Sequence, residues 1–336
     1  MNKFYTLNIT EINTLTLDSV EIKFQIPSDI SEKFKFKAGQ YITIKHNING
    51  EEIRRSYSLC SDPNTNTNKI SVGVKRVEAG KMSTFLTKEV KIGDALEVMP
   101  PTGNFVFEEG NVVAICAGSG ITPILSMMKT SNSLFTLIYG NKTIESTMFY
   151  DEIRDINSDT HFVFSREEVE GCYHSRINDS VIETILQGDY KDRVFYICGP
   201  GELIENTEKF LIKNGVKNSD IFFERFTSFK KKDTVDQSEK DEIISNITVI
   251  IDGDEFEYKL SSIGDTILDS AMQEGADIPF SCMGAVCCTC KAKVMQGKAI
   301  MDENYSLSED EVEQGYILAC QAHPTTENIV VDFDEM

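Results

Sequence analysis

Three things are missing from this 336-residue sequence: a long apolar run, a leader segment and an excess of positive charge. No stretch of 18 apolar residues occurs, and a helix needs about 20 to cross a bilayer. The opening MNKFYTLNITEIN holds neither a basic segment followed by an apolar one nor a small-residue cleavage site. A cytoplasmic protein with no membrane partner is therefore expected. Lys and Arg number 33 against 54 Asp and Glu, a formal charge of −21. That balance argues against nucleic acid, whose phosphates demand a basic surface. Disulfides are unexpected in a reducing compartment, and the nine cysteines are odd in number. Metal binding or ordinary buried thiols must account for most of them.

The length and a hydrophobic content of 40% suit two or three domains. Residues 1–108 offer short alternating runs (YTLNITEI, VEIKFQI, YITIK, KISVGVKRV, ALEVM) separated by turn signals. That pattern predicts a small antiparallel β-barrel. From 109 to 228 the runs NVVAICAG, LFTLIYG, THFVFS, RVFYICG and DIFFE are continuously apolar and alternate with helix-length segments. They predict a doubly wound α/β domain, in which ligands sit at the carboxyl ends of parallel strands. Residues 229–244, with FKKKDTVDQSEKDE, are polar, charged and aperiodic, as a solvated tether would be. The last segment, 245–336, carries 18 acidic and 4 basic side chains, −14 of the total −21. Within it Ser308 and Glu311 have capping-box spacing, and Glu309 and Asp310 suit a helix N-terminus.

Four of the nine cysteines fall in CMGAVCCTC, residues 282–290. Cys282, Cys287 and Cys290 are spaced C-x4-C-x2-C, with Cys320 further on, which is the plant-type arrangement for a 2Fe-2S cluster. Four thiolates must converge on two irons while backbone N–H groups approach the sulfurs, and small residues such as Gly284 and Ala285 permit that. Zinc is the plain alternative, but structural zinc sites usually pair one C-x2-C with another or with histidines. Cys288 reads as a buried small side chain beside a ligand. Cys60, Cys116, Cys172 and Cys198 are too scattered for a second site.

The barrel segment holds RSYS (Arg55, Ser56, Tyr57, Ser58), expected to begin a strand, and GKMST, in which Gly80, Lys81, Met82 and Ser83 lead into a helix. A guanidinium beside a helix N-terminus can hold a pyrophosphate, and a tyrosine can pack on a ring. Taken singly, RSYS is equally an edge strand and the glycine equally a turn. After the first α/β strand comes AGSGITP, and CGPG closes a later one. A glycine-rich turn opening a helix binds phosphate by the same means, although this is not the dinucleotide G-x-G-x-x-G. Tight turns and a buried thiol explain the same residues.

The motifs RSYS, GKMS, AGSGITP, YGNK, CGP and the cysteine loop resemble, in that order, ferredoxin-NADP reductase-like flavoenzymes fused to a C-terminal plant-type ferredoxin domain. CMGAVCCTCKAKVMQGK, MDENYSLSEDEVEQGYILACQA and the closing VVDF are similar, more narrowly, to reductases serving phenylacetyl-CoA epoxidases. The resemblance spans essentially the whole chain. It implies an FAD-binding β-barrel, an NADP-binding α/β domain and an α+β, β-grasp ferredoxin domain. Arg55 would then bind the flavin pyrophosphate, Tyr57 would pack against the flavin and Ser58 would lie near its reactive nitrogen, with Ser56 also counted among the cofactor-binding residues. Gly80, Lys81, Met82 and Ser83 would cradle the FAD phosphates through the chain. Gly118, Gly120, Thr122 and Pro123 match the pyridine-nucleotide turn, Cys198 and Gly199 would sit by the nicotinamide, and Glu224 matches an acid near the flavin. Ser58, Cys198 and Glu224 are thus the candidate catalytic residues.

Two departures stand out. Ala285 replaces a loop glycine, which is tolerable where that residue avoids positive φ, and CGPGEL lacks the usual methionine. Ser165 and Arg166 follow HFVF at a strand's carboxyl end, where a hydroxyl and a guanidinium suit the 2′-phosphate of NADPH better than NADH. A solvated loop arginine is the plain alternative, and Tyr173 is a candidate for stacking on adenine. The expected activity is NADPH-dependent reduction of FAD and then of the cluster, which serves an oxygenase, most narrowly a di-iron multicomponent monooxygenase. A reductase for a Rieske-type oxygenase and a redox-sensing module without turnover are the competing readings.

Overall fold

Alternation in the first hundred residues becomes six strands in the computed structural model, which describes residues 3–65, 68–156, 158–226 and 242–335. They are β1 (Tyr5–Thr16), β2 (Ser19–Gln25), β3 (Tyr41–Ile48), β4 (Glu51–Ser58), β5 (Lys69–Lys75) and β6 (Ala95–Thr102), with α1 (Lys81–Lys88) between the last two. Every pairing is antiparallel, in the order β4-β3-β6-β1-β2-β5. The two outer strands meet where Leu59 bridges Val72 and the Cys60 N–H donates to the Ser71 carbonyl at 2.9 Å. The interior is filled by one side of each strand, including Leu7, Ile22, Phe24, Ile42 and Val98, and by Met82 and Leu86 of α1. RSYS ends its strand rather than beginning one, because the hairpin pairing with β3 extends back to Glu51.

The continuous apolar runs form a parallel sheet of β7 (Val112–Ala117), β8 (Phe135–Asn141), β9 (Asp159–Phe164), β10 (Tyr173–His174), β11 (Val194–Gly199) and β12 (Ile221–Arg225). Its helices are α2 (Ile121–Thr130), α3 (Tyr150–Asp155), α4 (Asp179–Leu186) and α5 (Gly201–Lys213). Strand order is β10-β9-β8-β7-β11-β12, so the winding reverses between β7 and β11, the place where open α/β sheets bind ligands. This sheet and the barrel make one compact unit, Phe4–Phe226. Their seam is packed and bonded: Ser126 Oγ donates to the Ser61 carbonyl (2.7 Å), Lys129 Nζ to the Cys60 carbonyl (2.9 Å) and the Tyr196 hydroxyl to the Val106 carbonyl (3.1 Å).

The second unit carries β13 (Ile244–Ile251), β14 (Asp254–Ser261), β15 (Lys291–Gln296), β16 (Ala299–Met301), β17 (Tyr316–Leu318), β18 (Ala322–Pro324) and β19 (Asn328–Asp332). Its helices are α6 (Ile267–Gln273) and α7 (Glu309–Glu313). A mixed sheet, β14-β13-β19-β15-β17, has α6 among its packed elements, and β16 and β18 pair separately. This is an α+β β-grasp arrangement. The Ser308–Glu311 capping box forms at α7 as expected. The tether expected at 229–244 lies outside the described residues apart from its last three, of which Ile244 already belongs to β13. No described helix is long and apolar enough to cross a membrane.

Candidate electron-transfer sites

Strand β4 presents its side chains alternately to opposite faces. Arg55 is exposed, with Nη1 donating to the Arg54 carbonyl at 2.7 Å, and Tyr57 on the same face is half-buried. On the other face Ser56 Oγ lies 3.3 Å from Thr43 Oγ1, and buried Ser58 donates to Glu224 Oε2 at 3.0 Å. The loop after β5 opens α1 through Gly80, where an added Cβ would stand 2.6 Å from Ser83 Oγ. Ser83 Oγ accepts from the Val77 N–H (3.1 Å) and donates to the Gly80 carbonyl (3.3 Å), so its hydroxyl shapes this turn. N–H groups in a first helical turn lack partners inside the helix, which makes this end of α1, together with an exposed guanidinium on β4, suited to a pyrophosphate. The Met82 side chain is in the barrel core, so only its backbone could meet a ligand. Lys81 is paired with Glu51.

At the reversal of the sheet, β7 runs into a 3-10 turn, Gly118–Gly120, and then α2. Gly118 has φ 57°, and a side chain on Gly120 would collide with the Cys198 carbonyl. Two strand ends therefore close on each other with room only for glycine. Thr122 donates to the Ser119 carbonyl at 3.0 Å, and Thr122 and Pro123 are both buried. Gly199 abuts Ala117, where an added Cβ would lie 3.2 Å from the Ala117 nitrogen.

One residue below these turns, a single register row crosses the sheet: Tyr139 opposite Cys116, Cys116 opposite Cys198, Cys198 opposite Glu224. Burial, with Glu224 and Cys116 adding to it, holds the Cys198 thiol well above its ordinary range. Glu224 is pushed up to about 8 by burial, the Ser58 hydrogen bond pulling the other way. The residue as a whole is half-exposed at the end of β12, but the carboxyl is enclosed by protein. Ser58 and Glu224 come from positions 166 apart in sequence, and spacing alone could not have joined them. Tyr139 and Cys116 carried no expectation as site residues; a tyrosine inside an apolar strand looks like core until the register is known.

Ser165 and Arg166 sit beyond β9, tied by N–H donation from Ser165 to the Asn141 carbonyl (3.0 Å) and from Arg166 to the Lys142 carbonyl (2.9 Å). The Arg166 side chain is exposed. Tyr173 opens β10 directly beside β9, half-buried, with its ring 6.2 Å from that of His161.

In the second unit the four expected thiols come together. Cys282 and Cys287 sulfurs are 3.1 Å apart, Cys320 interacts with both Cys282 and Cys290, and the Gly284 N–H points at Cys282 Sγ from 3.4 Å. Among the described residues no three such side chains gather around one point as for a single ion. The four thiols are linked in a chain, Cys287 to Cys282, Cys282 to Cys320 and Cys320 to Cys290, an arrangement that suits a two-iron cluster. Cys288 turns away to the Ser306 carbonyl, 3.3 Å. Ala285 does not avoid positive φ: it adopts φ 62° with its methyl buried in the core, and Met283 adopts φ 49°. The tight wrap of the loop outweighs a left-handed cost of roughly 1–3 kcal/mol per residue.

Comparison with known proteins assigns the modules. Residues 6–107 match the oxidoreductase FAD-binding domain, 114–209 the oxidoreductase NAD-binding domain and 249–325 the 2Fe-2S iron-sulfur cluster binding domain. Together they define an NAD(P)H-dependent iron-sulfur flavoprotein reductase, with FAD, a nicotinamide nucleotide and a 2Fe-2S cluster as its cofactors. The chain is 37% identical to one of the subunits of the 1,2-phenylacetyl-CoA epoxidase of Escherichia coli K12, over 99% of each chain. It is 28% identical to the ferredoxin reductase component of 3-ketosteroid-9-alpha-monooxygenase from Rhodococcus rhodochrous, over 97% of this chain and 96% of that one. Phthalate dioxygenase reductase shares the fold at TM-score 0.61 and 22% identity, over 98% of each chain. The chain belongs to the ferredoxin-NADP reductase-like family that includes this epoxidase component.

Proposed function

We propose that this chain delivers electrons from NADPH to the di-iron oxygenase component of a phenylacetyl-CoA epoxidase. The observation that carries this reading is the 37% identity running end to end with a component of that enzyme. When bound, FAD accepts two electrons as a hydride and releases them singly, and the cluster carries one at a time. The protein's own residues supply positions. Arg55 and the α1 N-terminus, with Gly80, Lys81, Met82 and Ser83, hold the FAD pyrophosphate, while Ser56, Tyr57 and Ser58 border the flavin ring. Gly118, Gly120, Thr122 and Pro123 hold the nucleotide turn, with Cys198 and Gly199 under the nicotinamide. Glu224, protonated below about 8, keeps a proton one hydrogen bond from Ser58. Ser165 and Arg166 read the 2′-phosphate, with Tyr173 against adenine. Cys282, Cys287, Cys290 and Cys320 ligate the cluster and Cys288 does not.

A domain division at 1–108, 109–228 and 245–336, joined by the tether, accompanies this reading, as does a cytoplasmic setting, in keeping with nine cysteines that form no disulfide. The −14 balance of residues 245–336 favours an acceptor with a basic surface. Transfer to it should therefore slow as salt rises, since such steering is screened beyond about 8 Å at physiological ionic strength. The test is reconstitution of the purified protein with candidate oxygenase components. NADPH-dependent consumption of phenylacetyl-CoA is expected, and coupling only to a Rieske-type oxygenase would overturn the assignment.

A further inference from the structure

Gly73 lies in the middle of β5, one residue from the Val72–Leu59 bridge that closes the barrel just after RSYS. A methyl group at Gly73 would stand 2.6 Å from Thr122 Cγ2, and 3.1 Å from both Met148 Cε and Phe149 Cε2. The barrel strand therefore rests directly on Thr122, the last residue of the nucleotide turn Gly118–Thr122. The opposite side of that turn is held from below. Tyr139, wholly buried, donates its hydroxyl to the Gly118 carbonyl at 2.9 Å and lies 3.4 Å from the Met148 carbonyl. Gly118 is the residue at positive φ, and its carbonyl direction sets how the next N–H groups face a ligand. Met148 belongs to both contacts, so the floor and the wall of the turn share one residue.

We propose that Gly73 and Tyr139 are positioning residues for flavin reduction: between them they hold the turn Gly118–Thr122 at a fixed height against the flavin barrel. The proposal rests on the assignment of that turn to the nicotinamide nucleotide. A displacement of about 1 Å in a reacting pair can cost on the order of a hundredfold in rate, so the contact distance at Gly73 matters more than its apolar area.

The experiment is anaerobic stopped-flow reduction of the bound flavin by NADPH over a range of concentrations, with FAD content and cluster spectrum recorded for each variant. In Gly73→Ala the limiting rate should fall at least tenfold, with the nucleotide dissociation constant changing less than threefold. Thr122→Ser removes the methyl that the new Cβ meets while keeping the hydroxyl bonded to Ser119. Gly73→Ala/Thr122→Ser should therefore recover most of the loss, measured against Thr122→Ser alone. Tyr139→Phe should do the converse, raising the dissociation constant severalfold with a smaller change in limiting rate. A Gly73→Ala protein that keeps its FAD and reduces at the normal rate, or a slow one that Thr122→Ser does not rescue, overturns the proposal for Gly73; a Tyr139→Phe protein with unchanged nucleotide affinity overturns it for Tyr139. Failure of NADPH to reduce the wild-type flavin would instead overturn the nucleotide assignment beneath it.

Discussion

The two compact units build their sites in opposite ways. In the cluster unit, three thiols come from one nine-residue loop and the fourth from a turn 30 residues on. In Phe4–Phe226, one hydrogen bond, Ser58 to Glu224, joins residues 166 positions apart. A third strand end contributes Cys198, and the turn beside it is braced from β5 and β8. A metal cluster supplies its own geometry, so the chain need only bring thiolates close. Two organic cofactors that must meet face to face have no such template, and the fold itself must fix the distance between them.

That contrast predicts separable failures. Replacing Cys320 by Ser removes one of the four gathered thiols and should abolish the cluster's reduced-state EPR signal and transfer to the oxygenase. Flavin reduction by NADPH should proceed at its normal rate, and Cys288→Ser should keep the cluster. An intact signal in Cys320→Ser would break the ligand assignment. In the other unit Arg55→Ala should release FAD on gel filtration while the cluster stays. A charged hydrogen bond contributes about 1.5–3 kcal/mol, a loss of roughly 10- to 150-fold in affinity. Stoichiometric FAD in that variant would remove Arg55 from the site.

The next effect is one of selectivity. Arg166→Ala should raise the Michaelis constant for NADPH far more than that for NADH, and equal rises would show that the exposed guanidinium does not read the phosphate.

Legibility follows the same divide. The C-x4-C-x2-C spacing singles out three thiols, with the distant Cys320 as the fourth, and these are the four that come together in the second unit. Strand periodicity locates β1, β2, β3, β5 and β6 and the parallel runs, since a half-buried or doubly buried strand must show its pattern. RSYS reads as the start of a strand and proves to be its end, because nothing in EEIR marks a hairpin partner for β3. Ala285 differs from expectation too: its small size suggests tolerance only at ordinary φ, whereas the loop imposes φ 62° on it. Tyr139, Cys116 and Gly73 are invisible as site residues, since register across a sheet and close approach of two layers are not written in local spacing.

The smallest effect concerns pH. Burial raises Glu224 to about 8 against an ordinary carboxyl value of 4.5, so the folded protein binds a proton there that the unfolded chain releases. Its contribution to stability is fully present below the ordinary range and is lost as pH rises toward and through 8. Glu224→Gln should flatten that part of the Tm profile and the matching part of the flavin-reduction profile. An unchanged Tm slope between about pH 5 and pH 8 would place the carboxyl in solvent.

The central claim is that electrons entering as a pair at the nucleotide turn leave singly through the cluster held by Cys282, Cys287, Cys290 and Cys320. Anaerobic mixing of the FAD- and cluster-loaded protein with NADPH, followed optically and by freeze-quenched EPR, tests it directly. Flavin bleaching should come first and the reduced-cluster signal should follow from the same molecules. Full flavin reduction with a cluster that stays oxidised would contradict the account.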